Sequence, residues 1–240
     1  KFGSKVKLFM KQILIPNKKG YKANLHCHTV DSDGQLTCEQ MKEAYMALGY
    51  SIVGFTDHGF MRDRSFLNDE NFIALNGYEN HSEPSMVNGV RSCKCYHCCL
   101  YSPSPSKIGM IGMTDYYYEW CLTYKAKKDR PENELIDGYW EGENSCFGVE
   151  NLNKLIKKAH ELGYIITLNH PHWGHNTAED YIGLEDLDNL EILNSDCYLG
   201  GDLGECEEVY DEMLLSKLEL ISVIIPVYKV EHYINRCIES

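Results

Sequence analysis

The chain has no apolar run approaching the ~20 residues of a membrane-crossing helix, so a helical span is excluded. Basic charge is scarce: 23 Lys and Arg stand against 36 Asp and Glu, a formal net charge of -13 over 240 residues. Proteins that coat nucleic acid or lie on anionic membranes carry basic patches, so both classes are set aside. Nucleic acid enters only as a nucleotide or oligonucleotide substrate. The acidity instead suits a carboxylate-rich site whose charge is offset by bound cations. The opening Lys1-Phe-Gly-Ser-Lys5 has neither an initiator Met nor the apolar core of a signal peptide, and a fragment at the front end is expected.

Cysteine is abundant, with eleven residues. An odd count without a secretion signal points to reduced thiols and a cytoplasmic location. Cys93, Cys95, Cys98 and Cys99, with His97, suggest a zinc knuckle. No second CxxC lies nearby to complete a four-ligand cage, however, and the run reads as a β-strand whose alternate residues point apart.

At 240 residues the chain suffices for one large domain or two small ones. Residues 1–20 are basic and read as an edge strand or arm. A strand is expected from Ala23 to Thr29, which puts His26 and His28 on one face and Leu25 and Cys27 on the other. Thr37-Cys-Glu-Gln40 has capping-box spacing, and Met41, Ala44, Tyr45 and Leu48 recur as a helix stripe that Gly49 ends. Further strands are expected at Ser51–Thr56, running into Asp57-His58; at Phe72–Leu75, ending in Asn76-Gly-Tyr-Glu79-Asn-His81; at Cys95–Tyr101; at Tyr164–Leu168, delivering Asn169-His170-Pro171-His172; and at Leu190–Asn194. A helix stripe of Leu152, Leu155, Ile156, Ala159 and Leu162 precedes Gly163, and Val209, Tyr210, Met213 and Leu214 mark a last helix over 205–217.

Strands alternating with helices imply a parallel sheet whose ligands collect at the C-terminal strand ends. Repeated delivery of His, Asp and Glu to that end favours a closed or nearly closed β/α barrel, in which all such ends share one mouth. An open doubly wound sheet is the alternative, but no Gly-rich phosphate loop follows the first strand. Residues 102–148 break the rhythm with Pro103, Pro105, a Tyr116-Tyr-Tyr-Glu-Trp120 cluster and a charge run at 125–130. They read either as an insert packed on the barrel or as a lid or dimer contact anchored by Tyr and Trp.

A single His at a strand end is more often a hydrogen-bonded structural residue than a ligand. His26, His28, Asp33, His58, Glu79, His97 and His170 together are the set that a multinuclear N/O site requires. Such shells suit zinc, manganese or iron, and a bridging Glu holds two ions about 3.5–4 Å apart.

At these residues the sequence resembles the PHP (polymerase and histidinol phosphatase) family of metal-dependent phosphoesterases. His26-Cys-His28 followed by Thr29-Val-Asp-Ser-Asp-Gly34 resembles that family's first motif, and Thr56-Asp-His58 the second. Gly77-Tyr-Glu79 resembles the acidic bridging position, His97 the mid-chain histidine, and Asn169-His170-Pro171 the later HP motif. The resemblance spans residues 21–217 and implies a distorted (β/α)7 TIM-like barrel holding up to three metals. It implies that His26, His28 and Glu79 hold one metal, that Glu79 bridges to a second completed by His97 and His170, and that Asp33 and His58 reach a third. It also implies a small phosphorylated substrate attacked by a metal-activated water.

His172 shares the face of His170 if the backbone stays extended, a position from which it would contact substrate or donate a proton. The other reading of His172 and His175 is an exposed loop. His81 neighbours Glu79 by the same two-residue logic. Glu191, Asn194 and Asp57 are expected to orient ligand histidines by hydrogen bonds, or in the case of Asp57 to cap its turn.

Family members end with a further strand carrying Asp-x-His, and this chain has none. Residues 218–240 instead resemble the opening strand and helix of a family 2 glycosyltransferase and stop before any nucleotide-sugar-binding Asp. Glycosyltransferase activity is therefore not expected of these 240 residues, though a longer parent is not excluded. The expected organisation is a phosphoesterase domain over 1–217 and a tail over 218–240, in which Ser222–Val227 fills the slot of the last barrel strand; His232 follows in a predicted helix, which argues against its approaching the third metal. Loss of the Asp-x-His predicts fewer than three metals, with the second site holding best.

Overall fold

Seven strands pair side by side in the order in which they occur along the chain. They are β1 (Ala23–Asn24), β2 (Ile52–Phe55), β3 (Ile73–Ser82), β4 (Tyr96–Tyr101), β5 (Ile165–Asn169), β6 (Asn189–Glu191) and β7 (Ser222–Ile224). The structure, a computed structural model, describes residues 20–82, 93–104, 107–114, 117, 120–121, 147–201 and 203–216, and the backbone of 222–224. The expectations for the arm at 1–19, for most of the insert and for His232 lie outside the described residues.

The β1–β2 and β2–β3 pairs are parallel, as are β5–β6 and β6–β7. β4 runs antiparallel to both β3 and β5. The expected parallel sheet is therefore corrected to a mixed one, with one reversed strand in the middle. β3 also runs well past the expected end at Leu75, through Glu79 and His81, because its second half pairs with β4. Among the described residues β1 and β7 do not pair, so a closed seven-stranded TIM-type barrel is not formed by backbone pairing. The sheet nevertheless curls: His26, just after β1, contacts Glu191 at the end of β6, 3.1 Å away.

Helix α1 (Cys38–Ala47) begins with the expected capping box, in which Thr37 Oγ1 accepts from the Gln40 N–H and Gln40 Oε1 from the Thr37 N–H. Its inward stripe differs from expectation. Cys38 is buried and Met41 and Tyr45 pack against Val53, Phe55 and Phe72, whereas Ala44 and Leu48 face solvent. The buried set 38, 41, 45 keeps helical spacing and shares Met41 and Tyr45 with the expected stripe, but it is shifted toward the N-terminal turn, with Cys38 in place of Ala44 and Leu48. In α2 (Val149–Glu161) the expected Leu152, Leu155, Ile156 and Ala159 are all buried, against Leu100, Ile166 and Leu168. Two short helices, α3 (Ala178–Tyr181) and α4 (Ser195–Gly201), flank β6, and α5 (Glu207–Leu215) buries Val209 and Met213. Met110, Ile111, Met113 and Tyr117 of the insert belong to the main core. No helix among the described residues is long and apolar enough to cross a membrane.

Candidate metal centre

The first part of the site is built by a turn. Thr29 donates to Asp57 from its N–H (2.7 Å) and its hydroxyl, and Ser32 donates from its hydroxyl at 2.9 Å. Arg64, 5% exposed, holds the same carboxylate at 3.1 Å and reaches Asp31 at 2.6 Å. Asp57 thus fastens the turn that follows His28 instead of meeting an imidazole. A Cβ on Gly34 would stand 2.3 Å from the His28 carbonyl oxygen, so only glycine lets the turn close this tightly. The closed turn swings Asp33 back onto His28 Nδ1 (2.7 Å) and His58 Nε2 (3.3 Å).

The second part is built by strand register. β3 and β4 set Glu79 opposite Cys99 and His81 opposite His97, and β4 and β5 set His97 opposite Asn169. Residues directly opposed in an antiparallel pair share a face, as do residues two apart on one strand. Because β4 is reversed, its N-terminal end lies at the mouth. His97, the second residue of β4, therefore arrives beside residues from the other strands' C-terminal ends.

Both parts meet at Glu79, a carboxylate only 1% exposed. His26 Nε2 lies 3.3 Å from it, His28 Nε2 3.0 Å, His58 Nδ1 3.2 Å, His97 Nδ1 3.0 Å and His170 Nε2 3.3 Å. Asn169 donates to it at 2.9 Å. Glu191 accepts from the His170 N–H at 3.0 Å, lies beside His26 Nδ1, and is held in turn by Asn194 Nδ2 at 3.1 Å. The cleft over these residues has a volume of about 570 Å³ and is also lined by Trp173, Ser195, Asp196 and Cys197.

Charge follows this geometry. Burial disfavours protonation of His28, but hydrogen bonds to Asp33 and Glu79 raise its pKa to about 10. His26 is likewise opposed by burial yet raised well above the ordinary value by Cys99, Glu191 and Glu79. For His97 burial wins and holds its pKa well below the usual range; it also lowers that of His58. Burial favours the neutral form of Glu79, but His26, His97 and His58 overcome this and hold it ionised.

Donor atoms within 4.8 Å of one another define overlapping groups: His26–His28–Glu79, Glu79–His97–His170, His28–Asp33–His58, His26–His170–Glu191 and His81–Cys95–His97. Imidazole and carboxylate donors of this kind fit divalent ions. His170 Nδ1 is buried without a hydrogen-bond partner among the described residues, as a position awaiting an ion or water would be. Groups able to bind metal are present. Comparison with known proteins adds little. No family model matches the chain, and no curated protein matches it in sequence. Among solved structures it is similar to a crystal structure of a candidate metal-dependent phosphoesterase from Bifidobacterium adolescentis, at 15% identity and a TM-score of 0.46, covering 86% of this chain and 87% of that one.

Of the seven residues expected as ligands, five histidines thus surround Glu79 and Asp33 joins through His28 and His58. His172 does not join them. β5 ends at Asn169, and His170 has φ +23, so the backbone turns where it was expected to stay extended. His172 Nε2 consequently faces Glu208, 3.5 Å away. The proton-donor role for His172 is not carried forward. His175 is exposed. The five-residue knuckle does not assemble either: Cys98 is in the core and Cys93 is exposed. Sequence reading missed Tyr117, which packs on His81 with ring centroids 5.2 Å apart, and Trp173, 4.8 Å from the His97 ring. Tyr117 and Trp120 belong to the aromatic cluster of the insert, which was the available signal.

Proposed function

We propose that this chain is a metal-dependent phosphoesterase of the PHP type that hydrolyses a small phosphorylated substrate in the cytoplasm. The observation that carries the reading is Glu79, one buried carboxylate within 3.3 Å of five imidazole rings. Overlapping donor groups that share one acid are what a multinuclear site requires. The resemblance of the motifs supplies the substrate class, a phosphate ester. The reading treats residues 1–217 as the phosphoesterase domain, with an insert at 102–148 and a tail at 218–240.

His26, His28 and Glu79 would hold one ion, Glu79, His97 and His170 a second, and Asp33 and His58 a third. Divalent zinc, manganese or iron bound there supplies Lewis-acid polarisation of phosphoryl oxygens and activation of water. Glu79 keeps its negative charge at neutral pH and balances the cations. Glu191 accepts a hydrogen bond from His26 Nδ1, which fixes that ring with Nε2 toward Glu79, and Asn194 holds Glu191 in place. Asp57 keeps the turn closed so that Asp33 remains in reach.

A second reading, a barrel that binds metal without turnover, is favoured by the lack of an Asp-x-His in residues 218–240. Hydrolysis of an aryl phosphate monoester and an aryl phosphate diester by the purified chain separates the two. The proposal expects turnover that depends on manganese or zinc and is lost in His26→Ala. Absence of turnover of both esters at saturating metal would overturn it in favour of the second reading.

A further inference from the structure

Beyond the Glu79 centre, a different donor set stands on its flank. His81 Nδ1 lies 2.5 Å from His97 Nε2, the ring nitrogen of His97 that faces away from Glu79. Cys95 completes a group whose donor atoms all fall within 4.8 Å of one another. The register explains the convergence: His81 is paired directly with His97, and Cys95 precedes His97 by two residues on the same face.

The surroundings hold these side chains in place. The Cys95 N–H donates to the Gly174 carbonyl at 2.9 Å, and the Cys95 carbonyl accepts from Asn176 Nδ2 at 2.9 Å. A Cβ on Gly174 would stand 2.4 Å from the Cys95 carbonyl oxygen, so the loop after β5 closes onto Cys95 only with glycine there. Tyr117 stacks on the His81 ring, with an interplanar angle of 21°. Cys95 and His97 are 6% and 5% exposed.

We propose that His81, Cys95 and His97 form a separate metal site, selective for a borderline-soft divalent ion such as zinc. The chemistry differs from that of the Glu79 groups. A thiolate with two imidazoles prefers zinc or cobalt, whereas manganese and magnesium prefer carboxylate oxygen. Three protein ligands leave one tetrahedral position for water or another small ligand. Binding expels the Cys95 thiol proton to solvent, leaving a thiolate and two imidazoles on the dication with a net charge of +1. Ligand nitrogens about 2.1 Å from a tetrahedral ion stand roughly 3.4 Å apart, so His81 and His97 open by about 1 Å to admit it. The site does not depend on the phosphoesterase reading; when an ion also occupies the Glu79–His97–His170 group, His97 bridges the two ions through both ring nitrogens as an imidazolate and gives up its ring proton to solvent.

Cobalt(II) titration of the reduced full chain tests the proposal, because a cysteine thiolate on cobalt gives a near-ultraviolet charge-transfer band that His and carboxylate ligands do not. The expected result is that the wild type develops the band, Cys95→Ser abolishes it and His81→Gln weakens or abolishes it. Cys99→Ser should keep it. Glu79→Gln should keep the band while total bound cobalt falls, which separates this site from the Glu79 centre. Folding of each variant is followed by circular dichroism, and His81→Gln keeps the proposal testable if Cys95→Ser does not fold. A wild type that binds cobalt without the band overturns the proposal, as does a band that survives in folded Cys95→Ser. Loss of hydrolysis with the band intact would bear on the phosphoesterase reading alone.

Discussion

Two walls bring histidines to Glu79, and they do so by different means. The wall made by residues 24–34 and 57–58 is a turn whose Thr29 and Ser32 are fastened to Asp57, at the end of the next strand. The wall made by β3, β4 and β5 is a cross-strand ladder whose members lie up to 90 residues apart, as Asn169 and Glu79 do. Their charge states differ as well. On the turn side His26 is pulled above its ordinary pKa by Cys99, Glu191 and Glu79, and His28 by Asp33 and Glu79, while burial holds His58 below it; on the ladder side burial holds His97 below it. A metal ligand must present a neutral imidazole, so His97 is ready for an ion at neutral pH, whereas His26 and His28 must first release protons.

The largest effect should come from the residue common to both walls. Glu79→Gln removes the charge shared by the His26–His28–Glu79 and Glu79–His97–His170 groups. Metal affinity should fall by more than the roughly 10–100-fold typical of residues that only orient a ligand. Equilibrium dialysis would measure it, and a variant with unchanged metal content would break the account of a shared centre.

The pH dependence separates the walls. Below their raised pKa values His26 and His28 each hold a proton that binding must displace. Affinity of the turn-side group should then rise up to about 100-fold per pH unit, with two protons released per ion. His97, held neutral by burial, should release no proton when a single ion binds to it. Isothermal titration in buffers of different ionisation enthalpy counts the protons, and equal release at both groups would contradict the difference. The sign for the metal-free protein follows from the same shifts. The His28 contribution to stability is fully present below about 6.5 and lost as pH rises through about 10. His97 acts oppositely and destabilises the fold as pH falls below about 6.5.

A smaller effect is expected from Glu191→Gln, which keeps the shape of the His26 partner and removes its charge. Metal affinity should drop by about 10–100-fold with little change in fold, as read by dialysis and thermal melting. The smallest effects are on stability. Gly34→Ala in the turn and Gly174→Ala in the loop against Cys95 each force a Cβ onto a carbonyl oxygen, at 2.3 and 2.4 Å. Each should cost about 1–3 kcal/mol in denaturant unfolding. Gly34→Ala should also lower metal binding on the Asp33 side, and Gly174→Ala on the Cys95 side. Interchanged effects would contradict the division into two walls.

Much of this was legible in the sequence, because local chemistry acts over short distances. The capping box at Thr37–Gln40, the buried stripe of α2 and the ladder of strands ending in His, Asp or Glu follow from spacing alone. So does the turn at 29–34, whose Thr, Ser, Asp and Gly are adjacent in the chain. The reversal of β4 was not legible. A short apolar strand has the same two-residue alternation in either direction, and only its neighbours determine which end reaches the mouth. The turn at His170 was hidden for a similar reason: nothing local to His172 reveals whether the chain stays extended, so its pairing with Glu208 emerged only when the helices packed.

The sequence by itself determined which His, Asp and Glu residues stand near the strand ends, and in what order they appear along the chain. Tertiary structure decided which of their atoms meet. It set His97 between Glu79 and His81 by strand register, and it gave the buried His97 a depressed pKa while His28, between two carboxylates, gained a raised one. Register and burial are properties of packed neighbours, and residue types and spacing do not encode them until the chain has folded.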